Sequence, residues 1–199
     1  MKTKEMVLVA MLTALATVLM LFELPNPLVP FLKIDFSDTI VLLTFAIYGL
    51  KSGLVVAVLR LLLFGLIQGN IDGSAFPYVG VFGALMASLS LLAGYMIFTR
   101  LSSSKVLVSV GMIVSLTVVM TTLNYFLITP LYFGWPNVSL AEVQTAFAGF
   151  VSFDTGGAFD ESGGYLLANL FAYVPFNIIK GILITGLFYS LLPRVKALV

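Results

Sequence analysis

Residues 166–192 form one apolar run interrupted by a single charge, Lys180, and that run decides what class of fold the chain can adopt. It is long enough to cross a bilayer, whose hydrocarbon core takes about 20 apolar residues of helix. At about 1.5 Å per residue, Lys180 lies roughly 18 Å of helix from Leu192, too deep for its stem to lift the ammonium easily to a surface. An ionisable group at that depth faces a protein interior or a watery cavity rather than lipid. Asn169, Tyr173, Asn177 and Lys180 follow one another at i, i+4, i+8 and i+11, a single polar stripe on one helix. The stripe reads as one wall of a binding site.

The rest of the chain extends this reading. Of 199 residues, 60% are hydrophobic and 10% charged, with a mean hydropathy of +1.12, far from the ~25% charged residues of a soluble domain. An all-α polytopic membrane protein is expected, one integral-membrane domain over 1–199. Its six transmembrane helices fall at roughly 6–22, 36–50, 53–68, 78–98, 106–128 and 166–192, with outer loops at 23–35, 69–77 and 129–165. The second span is short for a bilayer. An even number of spans puts both termini on one side, and with that side cytoplasmic, Lys2, Lys4, Lys51, Arg100, Lys105, Arg194 and Lys196 lie inside, leaving Lys33 outside. The expected location is the cell membrane, multi-pass, with both termini in the cytoplasm.

The absence of histidine and cysteine removes Ser-His and Cys-His dyads and the commonest zinc ligands, so neither catalysis nor a metal site is expected. No phosphate-loop motif occurs, so the chain does not hydrolyse nucleotides itself. The cations are too sparse for nucleic-acid binding. A stand-alone proton- or sodium-driven carrier is the alternative from another class, and the lack of a mid-span carboxylate counts against it.

Further candidates lie along the chain. Pro25, Pro27 and Pro30 stiffen the first outer loop, which leads to Lys33, Asp35 and Asp38, the expected rim of a ligand site; Ser37 or Asp38 could instead cap the second helix. Arg60 sits near the middle of the third span, with Phe64 and Gln68 on its face, and either contacts ligand or pairs with an outer acid. The fourth span, with Gly80, Gly83, Ala84, Ala87, Ser88, Ala93 and Gly94, suggests close helix packing. Thr117, Thr121 and Asn124 form a second polar stripe. Ser139 and Glu142 have capping-box spacing, predicting a helix from about Leu140 to Ala148 within a long outer segment that could act as a lid. Ala10 and Ala14, with Thr13 and Thr17 nearby, make a small-residue ridge, a surface for packing or for a membrane partner.

Several stretches resemble the substrate-binding S components of energy-coupling factor (ECF) vitamin transporters, above all the riboflavin type: Leu32-Lys-Ile-Asp-Phe-Ser-Asp38, Tyr48-Gly-Leu-Lys-Ser-Gly53, Ile67-Gln-Gly69, Leu123-Asn-Tyr-Phe-Leu-Ile-Thr-Pro-Leu-Tyr132 and Pro175-Phe-Asn-Ile-Ile-Lys-Gly181. The resemblance implies a six-helix subunit that binds a water-soluble vitamin and joins a transmembrane coupling (T) subunit and two ATP-binding-cassette ATPases, docking through Ala10 and Ala14. It implies ligand contacts from Asn124, Asn177 and Lys180, with Asp35 and Asp38 at the rim. Tyr125, Tyr173, Tyr78 and Trp135 are expected to pack against the ligand, with Arg60 and Gln68 nearby. No cofactor is implied. Arg60-Leu61 and Val81-Phe82 depart from the riboflavin-type pattern and keep pantothenate, or hydroxymethylpyrimidine and pyridoxine, beside riboflavin as substrates; Arg60 would suit a pantothenate carboxylate if it faced the pocket. Lys180→Ala is expected to weaken binding without unfolding the bundle.

Overall fold

A computed structural model describes residues 3–26, 32–69, 75–154 and 164–197. Pro27 and Pro30 of the first outer loop lie outside the described residues. Eight α-helices run in order: α1 (Thr3–Leu21), α2 (Ser37–Tyr48), α3 (Leu50–Gln68), α4 (Val79–Leu101), α5 (Lys105–Leu123), α6 (Thr129–Tyr132), α7 (Leu140–Asp154) and α8 (Gly164–Lys196). A π-helical turn, Asn124–Ile128, joins α5 to α6 without a break, so the two form one continuous span. Between α1 and α2, β1 (Leu24–Pro25) and β2 (Lys33–Ile34) pair as a two-stranded antiparallel ribbon. The ribbon marks one end of the bundle, and the chain termini mark the other.

Five of these segments, α1, α3, α4, α5 through α6, and α8, have the length and apolarity to cross a membrane. The expected second span is the exception in form. At about 1.5 Å per residue, α2, with its 12 residues, covers little more than half of a bilayer core. Its first two turns, Ser37 to Thr44, are buried without interruption, because α1, α3, α4 and α8 pack around it. It is a core helix rather than a lipid-facing one. It turns directly into α3 at Gly49, whose φ of +89° is open to glycine at little cost.

Small residues set the closest approach in the bundle. A methyl group on Gly94 would come within 2.8 Å of the Met112 Cα on α5, and one on Gly181 of α8 within 2.9 Å of Ile113. The core then fills with Val9, Ala16, Leu42, Val56, Leu91, Met112, Leu116, Ile184 and Phe188. On α1, Thr13 and Thr17 face inward and donate to carbonyl oxygens four residues back, at 2.8 and 2.9 Å. Ala10 and Ala14 face outward and are exposed.

The capping box at the start of α7 forms as its spacing predicts. Ser139 donates through its N–H and hydroxyl to Glu142 Oε2, at 3.0 and 2.8 Å, and accepts from the Glu142 N–H at 3.3 Å. These bonds hold the Glu142 carboxyl below its ordinary value, so the cap is intact at neutral pH and is lost as the pH falls through that lowered value. The helix continues past the expected Ala148 to Asp154. It packs on α8 through Phe147, whose ring stacks on Tyr173 with centroids 5.9 Å apart.

Candidate functional site

At the ribbon end the helices enclose a cavity of about 210 Å³. Asn177, Tyr173 and Lys180 of α8 reach it from one side, and Asn124, which opens the π turn, and Thr129, which follows it, from another. Gly80, Gly83, Ala84 and Ala87 of α4, Phe64 and Gln68 of α3, and Glu23, Lys33 and Asp35 around the ribbon complete the wall. The small residues of α4 therefore do two jobs that sequence reasoning merged into one. Gly94, toward the terminal end, lets α5 approach; Gly83, Ala84 and Ala87 leave room that larger side chains would fill. A methyl on Gly83 meets only Ile128, at 3.6 Å, an ordinary contact. Gly83→Leu is expected to fold but to lose ligand by at least tenfold, because the added atoms occupy the cavity; equal affinity and thermal stability in the variant would place the ligand elsewhere.

The two amides are held differently. Asn124 donates through Nδ2 to the Met120 carbonyl oxygen at 2.7 Å, leaving Oδ1 as its acceptor. Asn177 Nδ2 is buried without a partner, and such a donor is costly unless something accepts from it. Tyr173 and Thr129 share a 2.6 Å hydrogen bond between hydroxyls, and the stacked Phe147 fixes the tyrosine ring from behind. None of the described α7 side chains lines the cavity, and this helix supports the wall through Phe147 and Tyr173.

Beneath the cavity lies a buried cluster of four charges. Lys180 Nζ is 3.0 Å from Asp38 Oδ2 and 3.4 Å from Asp35 Oδ2; Arg60 is 2.5 Å from Asp38 Oδ1 and 3.6 Å from Asp35 Oδ1. Arg60 also donates to the hydroxyls of Ser37 and Ser88, and Ser88 Oγ lies 2.7 Å from Asp38 Oδ1. Two carboxylates and two cations balance, and they tie α2, α3, α4 and α8 together at the N-terminus of α2, where negative charge is favoured. Asp35, just before that helix, accepts from the Ser37 N–H at 3.0 Å. The cap position itself is Phe36, with no side-chain capping bond, so neither Ser37 nor Asp38 caps the helix as sequence reasoning offered.

The cluster corrects several expectations. Arg60 is completely buried and does not line the cavity, so it presents nothing to a pantothenate carboxylate. Asp38 likewise lies below the wall rather than at a rim, because α2 starts deep in the bundle. The same depth sets two carboxylates against the buried cations, so a lack of buried acids does not count against an ion-coupled carrier; both acids are paired. Tyr125 turns away from the cavity to pack on Tyr165, with centroids 4.9 Å apart, because residues adjacent on a helix point to different faces. Tyr78 is half-exposed, in a left-handed conformation with φ +63°. It sits in a separate apolar groove with Val58, Leu62 and Phe82. Trp135 is not on the cavity wall. Sequence reasoning gave Glu23 no role and Thr129 none beyond its place in a family-like stretch. It named Ser37 only as a capping candidate and Ser88 only as a small packing residue, because which charges they meet is set by other helices.

Comparison with known proteins is consistent along the whole chain. Residues 4–192 match the family described as the ECF transporter substrate-specific component. The chain is 33% identical to the riboflavin transporter FmnP of Bacillus subtilis (strain 168), covering 98% of this chain and 94% of that protein. It is 32% identical to the riboflavin transporter RibU of Staphylococcus aureus (strain TCH60), covering 97% and 90%. The fold is similar to the solved S component of a bacterial ECF transporter, with a TM-score of 0.70 and 28% identity over 100% of this chain and 98% of that one.

Proposed function

The chain belongs to the family of substrate-specific components of ECF transporters, and on that premise we propose that its ribbon-end cavity captures riboflavin from outside the cell for an ATP-driven importer. One observation supports the substrate: a ring-sized cavity between α4, α5 and α8 is lined by two amides, one of them with an unpartnered buried donor, beside Tyr173 and the Lys180 ammonium. A flat heteroaromatic ring with edge carbonyls and ring nitrogens suits such a wall, and the similar proteins of B. subtilis and S. aureus are named riboflavin transporters. Asn124, Asn177 and Lys180 orient the ligand by hydrogen bonds, while Tyr173, Phe64 and the small face of α4 supply apolar surface. The chemistry is binding rather than catalysis.

In this reading the ribbon end faces outward and the termini, with Lys4, Lys51, Arg100, Lys105, Arg194 and Lys196 at their end of the bundle, face the cytoplasm. A T component and two ATP-binding-cassette ATPases complete the importer. The exposed Ala10 and Ala14 of α1 give the T component a smooth helix face. Ala10→Trp is expected to abolish copurification with the T component and ATPases while vitamin affinity stays within twofold; assembly at wild-type yield would leave the ridge without that role.

The deciding experiment is to purify the protein in mild detergent, denature it, and identify the released small molecules by absorbance and mass spectrometry. A stoichiometric flavin is expected. Release of pantothenate or a pyrimidine instead would keep the family and overturn the substrate.

A further inference from the structure

Two lysines line the cavity, and each is already engaged by carboxylate. Lys180 is held by Asp35 and Asp38, while Lys33 forms a 2.6 Å ion pair with Glu23. The ribbon register pairs Leu24 with Ile34 and Pro25 with Lys33. One step further it sets Glu23 level with Asp35, so acid, base and acid alternate on this wall before Lys180 is reached. With Arg60 included, three carboxylates meet three cations, and among the described residues the cavity offers no uncompensated positive charge. The two pairs differ in setting: Lys180 is nearly enclosed, with 6% of its side chain exposed, whereas Lys33 and Glu23 are 39% and 20% exposed. Lys33 is therefore the cation that an incoming anion could reach without opening the buried cluster.

We propose that Glu23 is a specificity-determining residue. It is a built-in counter-anion that occupies Lys33 and so disfavours the phosphate ester of the vitamin relative to the free vitamin. The inference rests on the riboflavin reading above. A phosphate monoester carries about −1.5 to −2 charge at pH 7, so on this wall it must either displace the Glu23 carboxylate from Lys33 or lie beside it unpaired. An uncharged ligand meets neither obstacle. The alternative role, a staple for the ribbon, is already filled by main-chain bonds, including Asn26 N–H to the Leu32 carbonyl oxygen at 2.7 Å; loss of a staple would change both ligands alike.

The test measures dissociation constants for riboflavin and riboflavin 5′-phosphate by quenching of flavin fluorescence, on detergent-purified wild type, Glu23→Gln and Lys33→Gln, at low and high salt. The readout is the ratio of the ester's Kd to that of riboflavin. In Glu23→Gln the ratio is expected to fall roughly five- to tenfold, and salt should erode the gain, because Lys33 becomes a free and partly exposed cation. In Lys33→Gln it should rise, since Glu23 then stands alone; this arm decides the matter if the first variant does not fold. A ratio within twofold of wild type in the folded variants, or parallel changes in both constants, overturns the inference. Wild-type protein that binds neither flavin overturns the riboflavin reading itself.

Discussion

Arg60→Met is expected to destabilise the folded bundle by about 3–5 kcal/mol, because it leaves a buried carboxylate without its cation. Arg60 bridges Asp38 and Asp35 and donates to Ser37 and Ser88, so its loss unpairs groups on α2 and α4 together. The removed guanidinium touches no cavity surface, and the effect should appear in stability before it appears in ligand contacts. Thermal unfolding in detergent would show a large drop in melting temperature or a loss of monodisperse protein. Arg60→Met combined with Asp38→Asn keeps one carboxylate, Asp35, against one cation, Lys180, and should recover most of the loss. A single variant as stable as wild type, or a double variant less stable than the single, would mean that the cluster does not act as a balanced unit.

Lys180 carries a double role and needs a different design. Its ammonium has three donors; one is directed to Asp35, Asp38 Oδ2 lies at ion-pair distance, and the residue also lines the cavity. Lys180→Ala alone would leave two buried carboxylates facing one guanidinium, so the expectation that it spares the fold is replaced: that variant should unfold as readily as Arg60→Met. Lys180→Met with Asp38→Asn restores neutrality. This pair is expected to fold and yet to bind the vitamin about 10- to 100-fold more weakly, the size of one lost hydrogen bond to a charged group. Wild-type affinity in the double variant would reduce Lys180 to a structural counter-ion.

The two polar stripes show how much of the site was legible. Asn169, Tyr173, Asn177 and Lys180 are all buried on one face of α8, because an α-helix turns a spacing in sequence directly into a direction in space. Three of those four line the cavity; Asn169 is buried but does not, since one helix face can meet more than one neighbour. The stripe on α5 led to Asn124 for the same reason, although Thr117 and Thr121 of that stripe do not line the cavity. Asp35 reaches the cavity wall and Asp38 does not, although they stand three residues apart. What separates them is the depth at which α2 begins, a property of its packing partners.

Apolar run length, charge placement and helical period are local properties, and by themselves they determined an all-helical membrane protein, the polar faces of α5 and α8, and the start of α7. Pairing is not local. Which acid meets Arg60, whether Lys180 is a ligand donor, a counter-ion or both, and which small residues of α4 pack and which leave a void depend on helices brought together from distant parts of the chain. Only the tertiary structure decided these points, because a buried charge takes its meaning from the opposite charge beside it.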